Sequence, residues 1–152
     1  EYLTGVVDGG GRSAAQVQRS TSQSISDSTD TLVSFEAEVL DYGGWWASGT
    51  NVIVPAGAIP SGYTSIGLLV IARVRFVPSG AGYRAAALLK NGTVFSRIGM
   101  NGISGDTADL STSDFTTVIA ADVITLQVRQ TSGGALDMDV GKLSVIRLAP
   151  AA

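Results

Sequence analysis

From Leu32 onward, apolar and polar positions along the chain alternate with a period of two. Val33, Phe35, Ala37 and Val39 alternate with Ser34, Glu36 and Glu38, the spacing that sends successive side chains to opposite faces of a strand. Val52-Ile53-Val54 follows and is closed by Pro55-Ala56-Gly57. The longest run is Ser65 to Val77. There Leu68, Val70, Ala72, Val74 and Phe76 share one face, and Arg73 and Arg75 lie on the other. Pro78 to Gly82 breaks the run. Tyr83 to Leu89 and Val94 to Ile98 are joined through Asn91-Gly92, the pair best suited to a type I′ hairpin because both central residues need positive φ. After a loop from Gly99 to Asp109, strands are predicted over Leu110 to Ala120, Ile124 to Arg129, Ala135 to Val140 and Leu143 to Leu148. No long stretch has helical spacing. About eight short strands with regular breaks predict an all-β antiparallel sandwich or barrel.

Residues 1–31 have a different texture. They are rich in Gly, Ser, Thr, Gln and Asp, and Gly9-Gly10-Gly11 offers no side chain to pack. We read 1–31 as an N-terminal arm and entry loop, with one short strand around Ala14 to Gln18, and 32–152 as the β-domain. A frayed terminus is the plainer reading of the same residues. Glu1 to Thr21 is polar and shows no signal-peptide pattern.

The long strand raises a packing question. If Leu68, Val70 and Val74 face the core, Leu69 and Ile71 face away from it. An isolated sandwich ordinarily places polar groups there. Either a loop covers these two side chains or a second copy of the chain does. Composition favours the second copy. Charged residues make up 15% of the 152-residue chain, against about 25% for an average domain. A chain with few charges and surplus aliphatic surface tends to hide that surface between subunits.

Charge and composition also exclude chemistry. The net charge of −3 gives no basic field for nucleic acid. The run Gly67 to Ala72 is far shorter than the roughly 20 residues of a spanning helix. There is no cysteine and no histidine, which removes disulfides, imidazole-dependent nucleophile systems and most zinc sites. No cofactor is expected.

The remaining candidates each have a plainer alternative. Glu36 and Glu38 share a strand face, and a pair on one strand cannot bracket a sugar as glycoside hydrolysis requires. Asp106, Asp109, Asp137 and Asp139 offer oxygen ligands for calcium, in a pattern too nonspecific to assign a metal. Trp45-Trp46, after Tyr42-Gly43-Gly44, is the most distinctive dipeptide. Exposed aromatics there would contact a partner or a sugar ring, whereas buried ones would close the sandwich. On an extended segment one points in and the other out. Asn91-Gly92-Thr93 fits a glycosylation acceptor as well as a turn. Gly9 to Ser13 lacks the Lys of a phosphate loop.

Five stretches then carry a resemblance. Thr31 to Asp41 fits T-x-V-x-F-x-x-E-x-x-D. Val52 to Gly57 resembles a V-P-x-x-G lead, and Leu69 to Phe76 fits a pattern ending A-x-V-R-F. Ala121 to Gln130 resembles G-D-x-V-x-L-x-V-x-Q, with Ala121 and Ile124 in place of its Gly and first Val, and Leu143 to Leu148 fits a closing S-x-x-R-L. Their order resembles the jelly-roll family shared by the globular heads of complement-type collagen-like proteins and by tumour-necrosis-factor ligands, most like the versions in bacteriophage and bacterial proteins. The segment Gly57 to Tyr63 is longer than the family pattern. The resemblance implies a jelly-roll sandwich of about 8–10 strands that forms homotrimers, with Leu69, Ile71, Arg73 and Arg75 at the interface. It also implies a non-enzymatic structural role. The expected role is a trimeric decoration (cement) protein or head fibre on the exterior of a phage capsid. Its partner there is the major capsid protein, reached by the arm at Gly9, Gly10, Gly11 and Arg12. The alternative is a receptor- or carbohydrate-binding tail-fibre tip that uses Tyr42, Trp45, Trp46 and the 99–109 loop.

Overall fold

A computed structural model of the chain describes residues 13–148. It contains eleven strands, of which β2 (Gln23–Ile25), β3 (Thr31–Leu32) and β5 (Val52–Ile53) are three residues or shorter. The eight longer ones are β1 (Ala14–Arg19), β4 (Ala37–Tyr42), β6 (Ile66–Phe76), β7 (Tyr83–Lys90), β8 (Thr93–Asn101), β9 (Ala108–Val118), β10 (Val123–Gln130) and β11 (Leu136–Arg147). One sheet runs β4-β1-β11-β6-β9, with β2 also paired to β11; the other runs β3-β10-β7-β8, with β5 also paired to β10. All strand pairings are antiparallel. The two sheets form a jelly-roll sandwich.

The core follows the period-two pattern. Leu68, Val70, Ala72, Val74 and Phe76 of β6 face Leu88 of β7 and Ile124, Leu126 and Val128 of β10 across a continuous apolar interior. Burying each large aliphatic side chain is worth about 1.5–3 kcal/mol. The Asn91-Gly92 hairpin has the expected positive φ at both residues, 49° and 79°. Its Asn91 side chain bonds Asp122 Oδ1 at 2.7 Å and accepts from the Val123 N–H at 2.8 Å.

Four sequence expectations change. Ala14 to Arg19 is an interior strand, not part of an arm: β1 lies between β4 and β11, and Ala15 and Val17 sit in the core. With β2 also in the sheet, the sandwich starts well before residue 32. The short strand expected around Ala14 to Gln18 is present, but it pairs on one side with β4 and on the other with the distant β11, which makes it part of the sandwich. The run from Val33 to Val39 is not one strand. Val33 and Phe35 are buried, but Ala37 and Val39 are exposed, because the chain crosses from one sheet to the other between β3 and β4. The two strands expected over 135–148 are one, β11, with an irregularity between Met138 and Val140. Gly141 does not break it; a Cβ there would lie 2.9 Å from Val33, so the glycine lets the neighbouring residue pack close. The 99–109 loop is shorter than expected, since β8 reaches Asn101 and β9 begins at Ala108. The long Gly57 to Tyr63 segment holds a single 3-10 turn, Ala56–Ala58, whose Ala58 plugs the core.

Polar residues close the sandwich ends. Asp122 accepts from the Ile119 N–H at 2.9 Å and from Asn91. Burial acts to raise its carboxyl, but these two bonds and the Lys90 charge outweigh it and hold the group below its ordinary value. Gln130 is fully buried and fully bonded: its amide donates to the carbonyls of Ile25 (2.9 Å) and Gly134 (2.7 Å), and its oxygen accepts from the N–H and hydroxyl of Ser132.

Two predictions follow from these turns. Gly82 and Gly92 both have positive φ, but a Cβ on Gly82 would meet the Thr131 carbonyl at 1.7 Å while Gly92 faces open space. Gly92→Ala should cost about 1–2 kcal/mol, and Gly82→Ala about 3 kcal/mol or more, both read from urea midpoints. Asp122 has a depressed folded value, so its contribution is complete above the ordinary carboxylate value of about 3.9 and is lost as pH falls through the folded one. Stability measured stepwise below about pH 4 should fall less steeply in Asp122→Ala than in the parent chain.

Candidate functional site

The outer face of the six-stranded sheet is the unusual surface of this molecule. Leu68 and Val70 point into the core, so Leu69 and Ile71 point outward, and Ile71 is 36% exposed. Cross-strand register extends this into a row. Leu69 pairs with Phe115 of β9 and Ile146 of β11; Ile146 pairs with Ala14 of β1; and Ala14 pairs with Tyr42 of β4. Direct partners in antiparallel strands share a face. Phe115, Leu69, Ile146, Ala14 and Tyr42 therefore form one stripe across five strands. Phe115 is 65% exposed and Tyr42 51%. Ile71 and Leu40 lie in the adjacent row, separated by Ser144 and Gln16, which bond each other at 2.8 Å. On the other side, the Leu148 side chain lies over Gly67.

The rest of this face is charged and internally paired. Arg73 makes a two-pronged contact with Asp109 (3.0 and 3.3 Å), and Arg75 makes one with Asp139 (2.9 Å for both prongs). The hydrogen bonds and charge of Asp139 raise the Arg75 guanidinium's affinity for its proton. Fork-to-fork pairs are geometrically specific, but at such exposure each is worth no more than about 1 kcal/mol. Leu69, Ile71, Arg73 and Arg75 thus share one face, as expected. Two of the four aspartates considered for calcium are the acceptors of these arginines. Among the described residues no group of three or more metal-ligating side chains comes together.

Of the two tryptophans, one points inward and the other is partly exposed, as an extended segment implies. Trp45 is 1% exposed and belongs to the core, so it is not a contact for a partner or ligand. The cause is local. Gly43 and Gly44 take positive φ, and the Asp41 carboxylate accepts from the N–H groups of Gly44, Trp45 and Trp46 at 2.9–3.1 Å. That turn drives Trp45 inward, where its indole N–H reaches Ser13 Oγ at 3.0 Å. Trp46 is half-buried, with its indole N–H on the Gly49 carbonyl at 3.2 Å. Only Tyr42 is open, and it belongs to the outer stripe rather than to a separate tryptophan loop. Gly9, Gly10, Gly11 and Arg12 lie outside the described residues.

Glu36 and Glu38 do not act as a pair. Glu36 accepts from the Thr21 hydroxyl and from the Ser20 and Thr21 N–H groups, and lies 3.3 Å from Arg19. Chiefly through the Thr21 hydroxyl, its carboxyl is held below its ordinary value. It fastens the turn after β1. Sequence reasoning missed Arg84, which alternation places inward and which is fully buried. Its guanidinium lies 5.9 Å from the Phe76 ring centre and donates to the carbonyls of Ser79, Ala81 and Tyr83. Burial pushes its pKa down. It ties the 78–82 loop to the sandwich.

Solved structures share this architecture. A murine APRIL crystal structure aligns with a TM-score of 0.62 at 16% identity, covering 89% of this chain and 99% of that one. The globular domain of a zebrafish complement 1qA protein aligns at 0.67 with 8% identity, covering 90% and 98%. The Eiger TNF structure from S. frugiperda aligns at 0.62 with 13% identity, covering 93% and 95%. At such identities the likeness is one of fold: a jelly roll of the tumour-necrosis-factor and complement-head kind. No protein-family model matches the chain, and no curated protein sequence does.

The Asp41 turn generates a test of the tryptophan assignment. Asp41→Ala removes one charged acceptor from three N–H groups. It should cost about 2–3 kcal/mol in urea unfolding and shift tryptophan emission to the red as Trp45 meets water.

Proposed function

We propose that this chain is a non-enzymatic structural protein that assembles as a homotrimer through the outer face of the six-stranded sheet. One observation carries the reading: the stripe of Phe115, Leu69, Ile146, Ala14 and Tyr42, with Ile71 beside it, is apolar surface that the sandwich itself does not cover. A contiguous exposed patch of this kind marks an interaction surface. Closed cyclic symmetry satisfies it on every copy at once, and the jelly-roll resemblance of the sequence implies three copies. The paired Arg73–Asp109 and Arg75–Asp139 forks leave little uncompensated charge on the same face, so they can enter an interface without an unpaired buried ion.

Within that class, the reading we favour is a bacteriophage decoration protein that stabilises the capsid exterior, with the major capsid protein as its partner. Its support is the likeness of residues 31–41, 52–57, 69–76, 121–130 and 143–148 to the phage versions of the family. The Gly-rich sequence Gly9 to Arg12, which precedes β1 in the chain, is the segment we assign to that contact. A tail-fibre tip is the competing assignment, and it loses Trp45 as a contact.

Light scattering should give three times the 15.5 kDa chain mass for the parent protein, and a single chain mass for Leu69→Asp combined with Phe115→Asp. A parent protein that is monomeric at micromolar concentration, or a double variant that stays assembled, would refute the interface. Sedimentation with empty capsids should then carry the trimer down; binding to host cells alone would sink the decoration reading and favour the fibre tip.

A further inference from the structure

The outer face of the five-stranded sheet, on the far side of the sandwich from the apolar stripe, is built differently. Arg84, Ala86 and Leu88 of β7 point into the core, so Tyr83, Ala85, Ala87 and Leu89 turn to the outer face, where Tyr83 is exposed but the side chains beside them leave Ala85 only 7% and Ala87 only 2% exposed. Alanine is a weak strand former, and the middle of a strand ordinarily carries bulkier side chains. Here Ala85 lies between Gly99 of β8 and Arg129 of β10, and Ala87 lies between Arg97 and Gln127. Two methyl groups form a floor, and long polar side chains from the neighbouring strands form walls. The resulting groove has a volume of about 240 Å³, and Tyr83 and Asp30 also line it.

Two features give the groove chemical character. A Cβ on Gly99 would lie 1.6 Å from Tyr83 Oη, so the absence of that side chain lets the tyrosine ring lie across the strand. The ring is held by the backbone beneath it and stays 42% exposed. The charges are unbalanced: Arg129 meets Asp30 through a single 3.3 Å contact, while the exposed Arg97 has no ion-pair partner among the described residues. Two guanidinium groups against one carboxylate select an anion, and an unengaged guanidinium presents the fork that matches a carboxylate.

We propose that this groove binds a carboxylate-bearing sugar, a uronic or sialic acid unit of a glycan. The volume lies just below the roughly 300–1,000 Å³ of sites for drug-sized ligands and suits one ring. The exposed Tyr83 ring takes the apolar face of that ring, above the floor at Ala85 and Ala87. Gln127 and Asp30 bond its hydroxyls, and Arg97 takes its carboxylate. The groove is formed within one chain, so it is independent of self-association and stands if the trimer reading fails.

The test is calorimetric or NMR titration of the folded full chain with methyl glucuronide, N-acetylneuraminic acid and the neutral methyl glucoside. At least one acidic probe should bind with a Kd of about a millimolar, and the neutral probe about tenfold or more weaker. Arg97→Gln should lower affinity for that acidic probe by about tenfold or more and close the gap to the neutral one. Ala87→Leu fills the floor without touching a charge and should abolish binding. Should that variant not fold, as judged by circular dichroism, Gln127→Ala takes its place with a loss of about fivefold. No binding of either acidic probe at tens of millimolar, equal binding of acidic and neutral sugars, or an Arg97→Gln variant indistinguishable from the parent would each overturn the proposal.

Discussion

Strand β6 has apolar side chains on both faces for half its length, and where those two faces go decides the rest of the molecule. Five residues, Leu68 to Phe76 in alternation, close the sandwich against the facing sheet. The other set begins with Leu69 and Ile71 and turns charged only at Arg73 and Arg75. Because successive strand residues must point to opposite sides, the interior between the two sheets cannot hold both sets. The inward set makes the fold, and the outward set leaves an apolar surface on the outer face of the six-stranded sheet.

The register of the neighbouring strands converts that local excess into a surface. Phe115, Ile146 and Tyr42 belong to segments far apart in the chain, yet pairing places each beside the Leu69 row. Polar residues on the same face are engaged with one another, Arg73 with Asp109, Arg75 with Asp139 and Gln16 with Ser144. The opposite sheet is organised the other way, with small side chains at its centre and cations at the margin. The two outer faces thus differ in character, one carrying an apolar stripe and the other a groove bordered by Arg97 and Arg129.

The polar residues within the family-like stretches turn out to be structural. Asp41 organises the turn that buries Trp45, Asp122 binds two turns together, and Gln130 fastens β2 and the 130–134 turn through four hydrogen bonds. In a sandwich without cysteine, such hydrogen-bonded groups specify which loop closes which end. Leaving any one of their partners unmet would cost about 1–3 kcal/mol each. This explains why a resemblance carried by these residues indicates fold rather than activity.

What the sequence determined by itself is whatever depends on neighbours in the chain. Alternation marked β6, β7 and β10, Asn91-Gly92 marked its hairpin, and the two-faced character of Leu69 and Ile71 was legible from parity alone. What depends on pairing across long sequence separations was decided only in the folded structure. The short strand expected around Ala14 to Gln18 was assigned to an arm because only its pairing between β4 and β11 makes it an interior strand. Phe115 and Ile146 looked like ordinary strand residues until register set them beside Leu69. Trp45 is buried, and Arg84 ties down a loop, because of turns and carbonyls that no periodicity encodes. The reason is physical: side-chain direction is set by the local backbone, but the company a side chain keeps is set by which strands lie side by side.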